Sequence, residues 1–334
     1  MRIAVDGMGG DHAPGVVVDG AVLAARELPV EVVVVGDESR LREELARHHA
    51  VPATLMLHHA SEVIGMDEPP ALSVRKKRDS SLNVMVELAK TRGVDAILSA
   101  GNTGAMVCAS TLGLRLLEGI ERPGIAIVLP TLTGNTLLID VGATIDPKPE
   151  HLVQFAVMGS VYARAVLGKP SPRVGLLNVG EEESKGTEFV KEAFRLLEHT
   201  PLHFVGNAEG RDLFTGRCDV IVCDGFVGNI TLKVTESMAK VVAQLLKREL
   251  RRNALTQMGA FLSLSAFKAL RRKMDYAEYG GAPLLGVDGT AIICHGASSA
   301  RAIKNGIRVA ASSVTEHVNG AIVAAMREVS CPKP

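Results

Sequence analysis

Two short stretches hold the residues best suited to chemistry. "NVGEEESKGTEF" sets Glu181, Glu182 and Glu183 ahead of Ser184, Lys185 and Gly186, and "CDGFVGNI" carries Asp224 and Asn229. A lone lysine beside a glycine at the mouth of a sheet can meet an anion or polarise a carbonyl. An asparagine amide is a neutral donor able to hydrogen-bond a developing oxyanion. The glutamates are equally what a helix N-terminus attracts. No Ser-His-Asp order or GxSxG elbow accompanies them, and Cys223 beside Asp224 is a poor candidate for a depressed pKa.

A second set is rich in glycine. "VDGMGGDHAP" brings Asp6, Gly9, Gly10, Asp11 and His12 to the end of an apolar run, "LSAGNTGA" brings Ser99, Gly101, Asn102, Thr103 and Gly104, and "IDVGATID" brings Asp140. Glycines at strand ends let a backbone approach a phosphate, and the helix after "SAGNTGA" would present unpaired amides to it. Neither a Walker pattern nor GxGxxG is present. The aspartates, which would repel an anion, are expected to act as braces: Asp11 capping the helix "APGVVVDGAVLAARE", Asp6 holding its own loop. The alternative makes Asp6, Asp11 and Asp140 ligands of Mg²⁺, as in a dehydrogenase using NAD(P) and a divalent metal.

These loops must be positioned by a sheet. "RIAVDG", "VEVVVVGD", "ATLMLHHA", "DAILSAGN", "GIAIVLPT", "NTLLIDVG", "RVGLLNVG", "LHFVGNAEG" and "DVIVCDG" read as strands, several of them continuously apolar as in strands covered on both faces. Segments with helical spacing alternate with them, which predicts a largely parallel sheet in a three-layer α/β/α sandwich. "PTLTGNTLLID" predicts one antiparallel hairpin. Six strand ends finish in glycine plus a small polar residue, and together they predict one polar crevice. From Thr235 to Tyr276 the chain reads as helix, followed by a glycine-rich stretch and one last helix. Residues 1–334 are expected to form a single unit of two intertwined lobes. Within 247–274, Leu255, Met258, Phe261, Leu262 and Phe267 lie between basic ends, forming a helical hairpin suited to dimer packing or to an anionic membrane surface.

Composition narrows the classes. The 334 residues are 47% hydrophobic and hold 37 basic against 37 acidic side chains, so no global field favours nucleic acid. No signal-peptide pattern opens the chain, and no apolar run approaches the ~18 residues of a membrane span. The five cysteines, Cys108, Cys218, Cys223, Cys294 and Cys331, lack metal-site spacing and read mostly as reduced core filler of a cytoplasmic protein.

Taken together, "AVDGMGGDHAP", "RDSSLNVMVELAKTRGVDAILSAGNTGA", "IDVGATIDPKPEHLVQFA", "LLNVGEEESKGTE", "CDVIVCDGFVGNITLK", "DYAEYGGAPLLGVDG" and "HGASSARAIKNGI" resemble the bacterial phosphate acyltransferase family nearly end to end. The resemblance implies an α/β/α fold related to phosphotransacetylases and to isocitrate and isopropylmalate dehydrogenases. It implies transfer of a long-chain acyl group from acyl carrier protein to inorganic phosphate, for phospholipid synthesis. It implies a homodimer, no cofactor, no metal, and peripheral association with the inner face of the cell membrane, where a glycerol-3-phosphate acyltransferase would take up the product. The family's essential lysine and asparagine align with Lys185 and Asn229, and its membrane-contacting tip with the stretch near 250–274. Thr144 departs from the asparagine more usual in the family after "DVGA". A non-catalytic membrane adaptor that binds acyl carrier protein is the other rival.

Overall fold

The structure is a computed structural model that describes residues 1–274 and 280–330. All nine expected runs are strands: β1 (Arg2–Asp6), β2 (Glu31–Gly36), β3 (Leu55–His59), β4 (Ala96–Ser99), β5 (Gly124–Thr131), β6 (Gly134–Ile139), β7 (Val174–Leu177), β8 (Phe204–Ala208) and β9 (Val220–Val222). Two further strands, β10 (Ala282–Leu285) and β11 (Thr290–Ile293), lie in the glycine-rich stretch. One sheet contains them all, in the order β3-β2-β1-β4-β11-β10-β5-β6-β9-β7-β8.

Alternation along the strands sends side chains to two faces. Ala4, Val33, Val35 and Ile97 join one core with α4 (Ser81–Lys90), α5 (Thr103–Leu114) and α8 (Asp212–Thr215). Ile3, Val5, Val32, Val34 and Leu98 point the other way, onto α1 (Gly15–Glu27) and α12 (Ala300–Thr315). In the second half Leu138 and Ile221 share the first core, while Leu137, Ile139, Val220 and Val222 face α6 (Pro149–Ala165) and α13 (Val318–Ser330). The result is the expected α/β/α sandwich. Strands buried on both faces explain the near-continuous apolar runs.

The ladder changes direction where the hairpin lies. β1, β2, β3, β4 and β11 pair in parallel, and β10 is antiparallel to both β11 and β5. β5 and β6 are antiparallel, Ala126 opposite Ile139, and β6, β9, β7 and β8 then run parallel. The loops after β1 and β4 therefore leave one edge of the ladder, and those after β6, β7, β8 and β9 leave the other. Four strand spacings separate β4 from β6, about 20 Å at ~4.8 Å each. The single crevice of six loops must be corrected to two separate groups of loops.

Two helix boundaries also differ from the pattern. α9 (Gly225–Leu250) begins ten residues before Thr235, directly after β9. The last helix is two, because His317 takes a left-handed φ of 50° between α12 and α13. Past α9, α10 (Ala254–Leu262) and α11 (Leu264–Met274) complete the helical tip; the expected end at Tyr276, like Cys331, lies outside the described residues. No helix among the described residues is long and apolar enough to cross a membrane.

Candidate active site

The β6 loop is organised by one carboxylate. Asp140, fully buried, accepts the N–H groups of Ile125 (2.8 Å), Gly142 (3.0 Å) and Ala143 (3.0 Å) on Oδ1, and that of Thr144 (2.6 Å) on Oδ2. Burial pushes its pKa up and the four N–H bonds oppose that push. Thr144 is also buried, its hydroxyl donating to the Pro123 carbonyl at 3.0 Å. So the departure at 144 falls on a side chain turned inward to brace the loop.

The first turn of α9 rests on this loop. Gly225 donates its N–H to the Thr144 carbonyl at 2.9 Å. A Cβ on Gly225 would come 2.6 Å from the Thr144 oxygen, and one on Gly228 would come 1.8 Å from the Asp140 oxygen. These two glycines exist for close approach of backbones, and their neighbour Asn229 reaches Gly142. Asp224 is the N-cap of α9, accepting from the Val227 N–H at 2.8 Å. Cys223 is buried, and burial raises its thiol well above its ordinary pKa, which removes it as a nucleophile.

β7 pairs directly with β9, Leu176 opposite Val222, so the loop holding Lys185 follows the strand beside the one that leads into α9 and Asn229. The three glutamates precede α7 (Glu188–Glu198) without entering it. Glu181 forms an ion pair with Arg211 at 2.8 Å. Among the described residues the Lys185 ammonium makes no salt bridge and the Asn229 amide no hydrogen bond, and both are exposed. They are polar groups left available at a rim where Asp140, Thr144 and Asp224 are already engaged.

The glycine-rich loops after β1 and β4 form the second group. Asp6 is buried, accepting from the Met8 N–H at 3.1 Å and the Ser99 hydroxyl at 2.7 Å; Ser99 in turn accepts the Gly101 N–H at 3.0 Å. Burial raises the Asp6 pKa, against the hydrogen bonds of Ser81 and Ser99. Gly9 and Gly10 pack against Gly101 and Gly296. Asn102 caps α5 by accepting from Ala105 at 3.0 Å, and its amide donates to the carbonyls of Gly65, Met66 and Glu68. Thr103, Gly104 and His12 are exposed around them. Asp6 thus braces its own loop. Asp11 does not cap α1: the cap is Pro14, with no side-chain bond, because the turn closes on backbone, Val16 donating to His12 and Val18 to Pro14. The Asp11 N–H goes instead to the Gly296 carbonyl at 2.8 Å.

Two expectations change on this geometry. Asp6 and Asp140 end strands five spacings apart, so they cannot share a cation with Asp11; no group of three or more His, Cys, Asp or Glu that could hold a metal occurs among the described residues. The "GMGG" and "SAGNTGA" loops follow strands that run opposite to those leading to Lys185 and Asn229. Asn178 and Asn207 stand in stretches the sequence singles out, "NVGEEESKGTEF" and "LHFVGNAEG", but their bonds to backbone carbonyls are visible only in the fold.

The fold is shared with phosphotransacetylases. The EutD phosphotransacetylase from Staphylococcus aureus superposes with a TM-score of 0.63 over 94% of each chain at 14% identity. A phosphotransacetylase from Streptococcus pyogenes does so with a TM-score of 0.62 over 95% of this chain and 94% of that one, at 17% identity. A 4-hydroxythreonine-4-phosphate dehydrogenase from Klebsiella pneumoniae, at 0.54 and 16% identity, shows the dehydrogenase side of the same fold. A sequence model described as fatty acid synthesis protein matches residues 1–320, and the chain belongs to that family. Its relatives include the phosphate acyltransferase of Geotalea daltonii, 49% identical over 98% of this chain and 95% of the relative, and that of Heliobacterium modesticaldum, 52% identical over 96% of each.

Proposed function

We propose that the protein transfers a long-chain acyl group from acyl carrier protein to inorganic phosphate. The relatives named phosphate acyltransferase support transfer to phosphate. The observation that carries the site is an unengaged lysine in the loop after β7 and an unengaged asparagine amide at the start of α9, which follows the adjacent parallel strand β9. Lys185 orients the phosphate and balances its charge. A phosphate oxygen attacks the thioester carbonyl carbon, and Asn229 donates to the tetrahedral oxyanion. Collapse breaks the C–S bond, and the carrier thiolate leaves and takes a proton from solvent. Positioning and oxyanion stabilisation supply the rate, so no protein nucleophile is needed.

The acyl phosphate is amphiphilic and labile in water, which gives the exposed tip a use. Leu255, Phe261 and Leu262 are 76%, 72% and 77% exposed, with Met258 exposed and Phe267 half-buried beside them. Large apolar side chains exposed together on one short helix are the form an interaction surface takes. In this reading the tip meets an anionic membrane on the cytoplasmic side or packs in a homodimer, handing product to a glycerol-3-phosphate acyltransferase. Basic residues along α9–α11 suit both that surface and an acidic carrier protein.

The test is to mix the protein with palmitoyl-acyl carrier protein, with and without phosphate, and trap acyl phosphate with hydroxylamine. Phosphate-dependent hydroxamate and released carrier protein are expected without added metal or nucleotide. Lys185→Ala and Asn229→Ala should each lose about 10²–10³ in turnover. Carrier binding without turnover would favour the adaptor reading.

A further inference from the structure

We infer that Asn178 and Asn207 are positioning residues for Lys185, an assignment that rests on the role given to that lysine above. Asn178 is the first residue after β7. Its side chain reaches across the loop, with Nδ2 donating to the Lys185 carbonyl at 3.2 Å and Oδ1 accepting from the Val179 N–H at 2.8 Å. Asn207 lies in β8, the strand paired with β7, and is 2% exposed. Its Nδ2 donates to the Glu182 carbonyl at 3.0 Å, the same oxygen that receives the Lys185 N–H at 3.1 Å. The Lys185 carbonyl is thereby tied directly to Asn178, just past β7, and the Lys185 N–H is tied through the shared Glu182 oxygen to Asn207 in β8.

The glycines of the loop make room for this arrangement. Gly186 sits at a φ of 90°, and a Cβ there would stand 2.5 Å from Asn178 Oδ1. A Cβ on Gly180 would stand 3.1 Å from the Lys185 Cγ, so the lysine stem crosses bare backbone. The Oδ1 of Asn207 is buried without a partner, which stability alone does not favour. The Glu181–Arg211 pair on the outside is solvent-exposed and fixes little. A fixed backbone beneath an unpaired ammonium is the form expected of a group whose direction matters for reaction.

The experiment is a double-mutant cycle on the full chain, read by hydroxylamine trapping over a range of phosphate concentrations. Asn178→Ala and Asn207→Ala should each lower kcat/KM for phosphate by about 10–100-fold, as a misplacement near 1 Å does. Neither should lower it further in a Lys185→Ala background, because both act through that side chain. Asn319→Ala, which removes comparable bonds to the Val287 and Gly289 carbonyls elsewhere, should keep the wild-type rate. Asn178 is half-buried in a surface loop, so its variant carries the cycle if Asn207→Ala does not fold. Losses that multiply in the Lys185→Ala background, or single variants at wild-type rate, would overturn the positioning role while leaving the reaction assignment standing. A fully active Lys185→Ala would overturn both.

Discussion

Gly228→Ala is the sharpest probe of how α9 is seated. The added Cβ would stand 1.8 Å from the Asp140 carbonyl oxygen, whereas real Cβ contacts essentially never fall below 3.0 Å. The first turn of α9 must therefore withdraw by about 1.2 Å, the difference of those distances. The obstacle is backbone, already fixed by four amides on the Asp140 side chain, so the helix moves and the loop does not. Asn229 moves with it. Overpacking of this kind costs about 1–3 kcal/mol, and a misplacement near 1 Å costs about 10²-fold in turnover. Gly210→Ala is the control, since nothing lies within 4 Å of a Cβ there. Urea midpoints give the first quantity and hydroxamate formation from palmitoyl-acyl carrier protein the second. Gly228→Ala with the stability and rate of Gly210→Ala would refute the close packing of α9 on the Asp140 loop.

Thr144→Val should destabilise by about 1–2 kcal/mol in chemical denaturation, since it deletes one hydrogen bond and leaves the Pro123 carbonyl unpaired inside. Asp6 and Asp140 both have raised pKa values, so the folded chain holds protons that the unfolded chain has released. Their contribution therefore lowers stability as pH rises from the ordinary carboxylate range through the raised values. Asp6→Asn should show a shallower decline in melting temperature across that interval than the wild type; a parallel decline would show that Asp6 does not titrate there. Joint Phe261→Glu and Leu262→Glu substitution should weaken sedimentation with anionic vesicles by about a hundredfold or more, from ~1.5–3 kcal/mol per buried apolar side chain. Unchanged vesicle binding would leave the tip to subunit packing.

The strands were legible because each long apolar run is buried on both faces, and Lys185 and Asn229 because unmatched polar groups stand out at strand ends. Other features were hidden for a common reason. Gly225 and Gly228 look like parts of a flexible cradle, yet they are the close-packed first turn of a 26-residue helix, so α9 seemed to begin late. β10 and β11 are four residues each within a glycine-rich stretch, too short for a period to show. Local pattern also does not record strand direction across distant pairings, and so six similar loops seemed to converge. Asn178 and Asn207 act through bonds to backbone carbonyls, which leave no trace in residue spacing.

The β10–β11 hairpin sits in the middle of the sheet although it comes from the last sixth of the chain. While residues 282–293 are still unsynthesised, β4 and β5 each present an open edge, and the two halves of the sheet have no strand in common. A nascent or truncated chain ending before Ala282 thus exposes two apolar edges, the usual substrate for aggregation and chaperone capture. Closure of the sheet becomes a late event that joins the halves at once. Fragments lacking the hairpin should accumulate as insoluble material, however complete the Lys185 loop and the Asn229 helix turn they carry.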